Sequence, residues 1–312
     1  MGSESPSELG KQPINSTHRL HKFLHKRLKI PQGMMQPFLS AARIARNPSQ
    51  YFIRKRLAQE ILADGSSRIQ ISQKDGYHFF SQDDLPEIGE IVGYCTKIFQ
   101  ESRKNLPLNY FQNNPKKKYF NVLLEGTEFC EHPELLRRVI ARPILDAATS
   151  YLGAVPRLSG AMLVWSPENE TARSSQLFHF DYEDLTQLKM FINIFDTTEE
   201  QGPLTFLPAD ISAQVQKSIG RILGRVSDEQ VYQAGGQNHD FKLVGPSGSG
   251  AFLDTSRCLH YGSRFNKRDR LILIVQFLKF HSSYRGYIPF KGPSSFSGFS
   301  PDLVQRLVLD IN

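Results

Sequence analysis

This chain of 312 residues is long enough for one catalytic domain with extensions, and its 39% hydrophobic and 22% charged residues are typical of a globular protein. Its three cysteines are far apart and form no C-x-x-C pair, which argues against a disulfide framework and a structural zinc site. The polar N-terminal stretch lacks the apolar core that a signal peptide has, and no apolar run approaches the roughly 20 residues that span a bilayer. We therefore expect a cytoplasmic protein without a transmembrane segment.

The net charge of +7 is concentrated near the N-terminus, where residues 18–56 contain ten lysines and arginines and no acidic residue. Apolar residues recur at helical spacing among these cations over 18–30, 37–46 and 51–63. We expect residues 1–65 to form a basic extension that is partly disordered and partly helical. This extension is either a solvated surface or a contact site for an anionic partner.

Residues 66–285 are predicted to form the main domain, and residues 286–312 a C-terminal tail. Helices are predicted over 85–103 and 131–151, and a helical insertion at about 210–233. Short strands are predicted at 77–80, 155–165, 176–181, 188–195, 203–207, 241–244, 250–255, 257–261 and 270–280. Helices followed by many short strands favour a mostly β domain, a sandwich or barrel with flanking helices.

A His-x-Asp pair, His179 and Asp181, ends the predicted strand 176–181. Residues i and i+2 of a strand point to the same face, so these two side chains can bind one metal ion together. His260, which follows a glycine-rich turn, is the candidate for a third ligand. Two imidazoles and one carboxylate on one face of an ion leave its opposite face open, as in non-haem Fe(II) oxygenases that admit a cosubstrate and O₂.

Arg270 begins a strongly apolar run ten residues after His260. An arginine binds a carboxylate through two parallel hydrogen bonds and keeps its charge, so it suits the far end of a dicarboxylate cosubstrate. Ser263 is a candidate donor to the same carboxylate, and Arg268 is the substitute if the strand starts earlier. Gln176 and Asn193 are further cofactor-binding candidates, because their parity directs them towards the same pocket.

Four segments together resemble the phytanoyl-CoA dioxygenase family of Fe(II)/2-oxoglutarate-dependent oxygenases. They are DGYHFF near the domain start, HFD at 179–181, LKMFINIFDTTEEQGPLTFLPAD, and GSGAFLDTSRCLHYGSRFN followed by Arg270. The resemblance covers roughly residues 70–280. It implies a double-stranded β-helix (a jelly-roll, cupin-like core), with His179, Asp181 and His260 as iron ligands and Arg270 as the anchor of 2-oxoglutarate. Asp181 distinguishes the chain from related halogenases, which have a small residue at that position.

The activity implied is a dioxygenase reaction in which Fe(II), 2-oxoglutarate and O₂ hydroxylate a small or carrier-bound metabolite, with release of succinate and CO₂. Two alternatives stay open. One is a catalytically silent β-helix protein that binds or regulates through its basic arm, and the other is a cupin-like metal isomerase or hydrolase. Trp165 and Tyr182 are candidates to line the substrate cavity, Lys189 either faces the pocket or lies on its rim, and Phe191 and Cys258 are interpreted as core residues.

Overall fold

The structure, a computed structural model, describes most of the chain from Gln32 to Ile311. The described residues are 23, 30, 32–65, 67–105, 119–220, 222, 224–282 and 298–311. Residues 1–17, nearly all of the predicted helix 18–30 and nearly half of the predicted tail 286–312 lie outside them. The division into a basic extension, a main domain and a tail remains a prediction.

Eight α-helices in the described residues precede, separate and follow the strands along the chain. They are α1 (Gln32–Arg46), α2 (Pro48–Asp64), α3 (Glu87–Lys104), α4 (Pro133–Val139), α5 (Arg142–Leu152), α6 (Ala209–Ile219), α7 (Asp228–Val231) and α8 (Leu303–Val308). The proline that opens α2 occupies a first-turn position, where its missing N–H has no helical partner to lose. This helix ends at Gly65, whose φ of 62° lies in the left-handed region that glycine adopts easily.

The single helix predicted over 131–151 is two helices in the structure. Pro143 explains the break, because in a continuous helix it has no N–H to donate to the carbonyl of Val139 and its ring would clash with that carbonyl. Ala141 is extended, with φ −62° and ψ 148°, and the second helix restarts with Pro143 in its first turn. The apolar periodicity of the segment continues across this break, so periodicity alone predicts one helix.

The strands form two antiparallel sheets. They are β1 (Tyr77–Phe80), β2 (Asn121–Glu125), β3 (Arg157–Ser166), β4 (Leu188–Asn193), β5 (Thr205–Phe206), β6 (Phe241–Lys242), β7 (Gly250–Leu253), β8 (His260–Tyr261) and β9 (Arg270–Leu278). The large sheet has the order β1-β7-β4-β9-β3-β2 and the small sheet the order β6-β5-β8. Strand β2 is absent from the sequence prediction.

The two faces of the large sheet have different surroundings, as alternate residues of β9 show. Leu271, Leu273, Val275 and Phe277 are buried in the large hydrophobic cluster that also contains residues of α3, α4 and α5. The alternate residues, from Arg270 to Gln276, face the interior between the sheets. The two facing antiparallel sheets with helices outside them form the mostly β core of a double-stranded β-helix.

The predicted strand 176–181 is an extended segment held by isolated pairings rather than a regular strand. Phe178 pairs with Val226 and His179 pairs with His260. This segment therefore lengthens the small sheet beyond β8. The insertion predicted at 210–233 contains α6 and α7, which pack on the outer side of this sheet around Phe178, Val215 and Val231.

No helix in the described residues has both the length and the apolar content needed to cross a bilayer.

Arg54 joins α2 to the sheet and to the C-terminal helix. Its side chain is 1% exposed. The guanidinium donates to the carbonyls of Val155, Pro156 and Leu307 at 3.2, 2.9 and 2.7 Å, and it forms an ion pair with Asp310. These acceptors lie after α5 and in α8, so one buried side chain connects three parts of the chain.

Replacing Arg54 with methionine should lower the free energy of unfolding by about 3 kcal/mol, because three buried carbonyls lose their donor. Thermal and denaturant unfolding measure the change. The matched control is Arg56→Met, whose parent side chain is 68% exposed and pairs only with Glu60. That change should stay within about 0.5 kcal/mol of the parent. Equal losses in the two variants would contradict this role of Arg54.

Candidate metal centre

His179 and His260 face each other because the chain pairs in antiparallel fashion at this point. The main-chain N–H of each histidine donates to the carbonyl of the other, both at 3.1 Å. Residues paired directly across antiparallel strands project to the same face, and the two imidazole centroids are 4.3 Å apart. Asp181, two residues after His179, is fixed by its own N–H, which donates to the carbonyl of Thr255 at 2.9 Å.

The three side chains offer donor atoms that all lie within 4.8 Å of one another. Nε2 of His179 is 3.9 Å from Oδ1 of Asp181, and Nε2 of His260 is 3.6 Å from Oδ2. Each Nδ1 faces a main-chain carbonyl two residues earlier, at 2.9 Å for Leu177 and 3.0 Å for Cys258. Because a carbonyl can only accept, we assign the imidazole protons to Nδ1, which leaves both Nε2 lone pairs free for a cation.

The protonation states of these groups suit a metal ion at neutral pH. Burial, followed by the neighbouring His260, lowers the pKa of His179 to about 3, and burial also lowers the pKa of His260. Burial opposes ionisation of Asp181, but Lys189 and the two histidines outweigh it and hold the pKa of this carboxyl below its usual value. The site therefore presents two neutral imidazoles and one carboxylate, the donor set that Fe(II) accepts in facial three-residue sites.

Lys189 lies inside this site rather than on its rim. Its Nζ donates to Oδ2 of Asp181 at 2.7 Å, and its side chain is 19% exposed. Burial disfavours the ammonium, but Asp181 and then Glu183 raise the pKa of Lys189 above its usual value. A permanent cation thus restrains one oxygen of the carboxylate and leaves the other, Oδ1, without this contact.

Arg270 is a buried cation without an acidic partner among the described residues. It is 4% exposed, and its Nη1 donates to the Ser263 hydroxyl at 2.6 Å. Burial lowers the pKa of Arg270 to about 10, which still leaves it charged at neutral pH. The Ser263 oxygen also lies 2.8 Å from the hydroxyl of Ser166. An unpaired charge in such a place is costly, and a bound carboxylate would stabilise it.

Gly262 keeps the space beside Arg270 open. A Cβ added at this glycine would lie 3.2 Å from Nη1 of Arg270. That approach is tighter than ordinary van der Waals contact, so a larger residue would displace the guanidinium. Three successive residues thus shape the surroundings of Arg270. Tyr261 lines the cavity, Gly262 leaves space beside the guanidinium, and the Ser263 hydroxyl contacts the guanidinium.

Both the three-residue donor set and Arg270 line one cavity of about 270 Å³ between the two sheets. From the large sheet, Met162 and Val164 face it on β3, and Lys189 and Phe191 face it on β4. From the small sheet, His260 and Tyr261 face it. The walls are mostly apolar, and the polar groups are few and converge on the interior, as in binding sites for small molecules.

Gln176 and Asn193 do not line this cavity. Gln176 is buried, and its amide contacts the main chain of Arg173 and Ser263. The amide of Asn193 donates to the carbonyl of Leu243 at 3.2 Å. Asn193 shares a face of β4 with Lys189, as its parity predicts. However, Asn193 lies at the end of β4, beyond the cavity.

Arg268 also lies away from the cavity. Its side chain is 70% exposed and pairs with Glu200 at 2.9 Å. Trp165 and Tyr182 are not among the lining residues either, since Trp165 packs on Phe99 and the Tyr182 hydroxyl donates to a main-chain carbonyl. Phe191, interpreted from sequence as core, lines the cavity and packs in the cluster between the sheets.

Three polar lining residues, Ser175, Gln276 and Arg225, are missing from the sequence-based set. Gln276 has the parity of Arg270 on β9, so strand alternation alone could have found it. Arg225 lies between α6 and α7, and it reaches the cavity because Val226 pairs with Phe178. No local pattern in the sequence signals that pairing.

No protein-family model and no curated protein matches this chain in sequence. Among solved structures, EctD from S. alaskensis with 2-oxoglutarate and 5-hydroxyectoine is 14% identical, with 76% of this chain and 80% of that chain covered and a TM-score of 0.48. The carbocyclase SnoK from nogalamycin biosynthesis is 14% identical, with 71% and 91% covered and a TM-score of 0.48. The Ni complex of the non-heme monooxygenase ThoJ is 13% identical, with 70% and 86% covered and a TM-score of 0.41. At these values the likeness does not extend to an activity or a substrate.

Replacing His179 with alanine should weaken Mn²⁺ binding by at least about 100-fold, since even residues that only support metal ligands typically cost roughly 10- to 100-fold. Titration of Mn²⁺ followed by electron paramagnetic resonance measures the free ion. His239→Ala, which removes an exposed histidine, is the matched control and should bind like the parent. If His179→Ala binds Mn²⁺ as tightly as the parent, the metal site lies elsewhere.

Proposed function

We propose that this protein is an Fe(II)- and 2-oxoglutarate-dependent oxygenase that hydroxylates a small or carrier-bound organic substrate. One observation carries the proposal: a two-histidine, one-carboxylate donor set lines the same cavity as a buried arginine that has no acidic partner among the described residues. A metal site alone would suit many activities. A metal site that shares its cavity with an unpaired guanidinium suits a cosubstrate that binds metal at one end and carries a carboxylate at the other.

His179, Asp181 and His260 would hold the iron. When bound, Fe(II) would supply the activation of O₂ that couples oxidative decarboxylation of 2-oxoglutarate, to succinate and CO₂, with oxidation of the substrate. The Nδ1 contacts to the carbonyls of Leu177 and Cys258 keep both rings oriented with Nε2 towards the ion. Lys189 restrains the carboxylate of Asp181 through Oδ2.

Arg270 and Ser263 would bind the distal carboxylate of 2-oxoglutarate. The guanidinium offers a planar pair of donors, and the contact between the hydroxyls of Ser263 and Ser166 orients the serine. Gly262 leaves the space that the carboxylate requires. The apolar walls exclude water, which strengthens the ion pair between arginine and carboxylate.

Membership of the phytanoyl-CoA dioxygenase family is a narrower part of the same proposal. It rests on the order and spacing of HFD at 179–181, the segment LKMFINIFDTTEEQGPLTFLPAD, His260 and Arg270. Hydroxylation is the default outcome for an oxygenase that retains a carboxylate ligand such as Asp181. The cavity of about 270 Å³ accommodates a small molecule or the end of a carrier-bound one.

With Fe(II), 2-oxoglutarate and air, the protein should release succinate when a metabolite library contains its substrate. Under isotopically labelled O₂, one labelled atom should enter succinate and the other the product. His260→Ala should abolish both signals, because the ligand set is then incomplete. A metal isomerase or hydrolase would convert its substrate without forming succinate, and a silent binding protein would show no turnover with any compound. Either result would contradict the proposal.

Arg270→Gln should raise the dissociation constant of 2-oxoglutarate by at least about 30-fold, since a buried charge pair loses one partner. Calorimetric titration of the Mn²⁺-loaded protein measures it, and Mn²⁺ binding itself should be unchanged. Arg268→Gln is the control, because it removes an exposed guanidinium only two residues away. The assignment of the anchor is wrong if Arg268→Gln loses 2-oxoglutarate and Arg270→Gln retains it.

A further inference from the structure

The charges that line the cavity are unbalanced. Among the described residues that line it, Asp181 is the only acidic one, whereas Lys189, Arg225 and Arg270 are cations. Lys189 and Asp181 form an ion pair at 2.7 Å and cancel each other. Two arginines therefore face the cavity without an acidic partner in the described part of the chain, and the proposed cosubstrate uses only one of them.

Arg225 belongs to the entrance of the cavity. It is exposed, and its Nε donates to the carbonyl of Ser174 at 2.8 Å, which holds the guanidinium beside the segment that precedes His179. Val226 N–H donates to the carbonyl of Phe178 at 2.9 Å. Antiparallel chains continue in opposite directions from such a pair, so Arg225, before Val226, comes next to His179, after Phe178.

We infer that the substrate is a small organic anion whose carboxylate or phosphate group binds Arg225 at the entrance. This inference rests on the proposed function. The charge of Fe(II) and the charge of 2-oxoglutarate cancel, as do those of Asp181 and Lys189, so the loaded cavity keeps the net charge of its two arginines. Arg270 is then occupied by the cosubstrate, and Arg225 is the cation left for the substrate.

The rest of the substrate is apolar. The apolar residues that line the cavity are Phe120, Met162, Phe191, Leu204, Ile272 and Ile274. Burial of hydrocarbon against such walls is energetically favourable, and burial of a polar group without a hydrogen-bond partner is unfavourable. Of the polar residues that also line the cavity, Gln276 already donates its amide to Gln187 at 3.0 Å. An anionic head at Arg225 and an apolar body towards the metal place a C–H bond, rather than the charged group, at the reactive centre.

Two fluorescent probes test the charge preference directly: anilinonaphthalene sulfonate, and phenylnaphthylamine, which has the same aromatic body without the sulfonate. The full chain loaded with Mn²⁺ and 2-oxoglutarate should bind the sulfonate roughly tenfold more tightly than the uncharged probe. Arg225→Gln should remove most of this difference and leave the affinity for the uncharged probe unchanged. Because Arg225 is exposed, high salt should have the same effect.

Lys217→Gln is the matched control, since it removes an exposed cation of α6 that does not line the cavity. It should keep the full preference for the sulfonate. Equal affinity of the parent for both probes would overturn the inference. An equal loss in Lys217→Gln and Arg225→Gln would overturn it too, because the preference would then reflect net charge alone.

A turnover screen separates this inference from the proposed function. The library pairs each carboxylic acid with its amide and each phosphate monoester with its alcohol, and succinate release is measured. Release with the anionic members supports the inference, and the active pairs identify the anion as carboxylate or phosphate. Release only with neutral members overturns the inference and leaves the proposed function intact. A sulfonate preference that depends on Arg225, without succinate from any pair, supports the anion site and counts against the oxygenase.

Discussion

The reciprocal main-chain pairing of His179 with His260 is the constraint on which the site depends. It brings together two imidazoles that are far apart in sequence, and it sets their faces in the same direction. The position of Asp181 follows from this pairing, because in an extended chain the side chains of residues i and i+2 point to the same face. The same segment pairs with Val226 through Phe178, so the position of the entrance depends on it as well.

A second principle organises the charges around that pairing. In a cavity with apolar walls, each ionised group needs a partner or it becomes a binding site for one. Asp181 has Lys189 as a partner, while in the part of the chain that the structure describes Arg270 donates to the hydroxyl of Ser263 and to no carboxylate. The structure thus contains one neutralised charge next to the imidazoles and one buried guanidinium, that of Arg270, that no acidic residue of the described chain neutralises. This asymmetry favours an anionic cosubstrate over a neutral one.

The sequence predicts the site residues whose positions follow from strand alternation. It does not predict those whose positions depend on how far a strand extends into the cavity or on a long-range pairing. His179, Asp181 and His260 were grouped from parity and order, and they lie together. Arg270 and Arg268 have the same parity, and only the start of β9 and burial separate them. The alternation of β4 continues to Asn193 past the end of the cavity. The position of Arg225 depends on a single pairing that no local pattern encodes. The mostly β class with flanking helices followed from element order, and the double-stranded β-helix from the family resemblance, whereas the helix break at 141 required the backbone chemistry of one proline.

The most direct test of the central claim is the visible absorption of the protein with Fe(II) and 2-oxoglutarate under anaerobic conditions. Chelation of the metal by the keto acid should produce a weak charge-transfer band at one equivalent of each component. The band should be absent when succinate replaces 2-oxoglutarate, and it should be lost in His179→Ala. A protein that binds Fe(II) at these residues but never develops the band with 2-oxoglutarate would contradict the account.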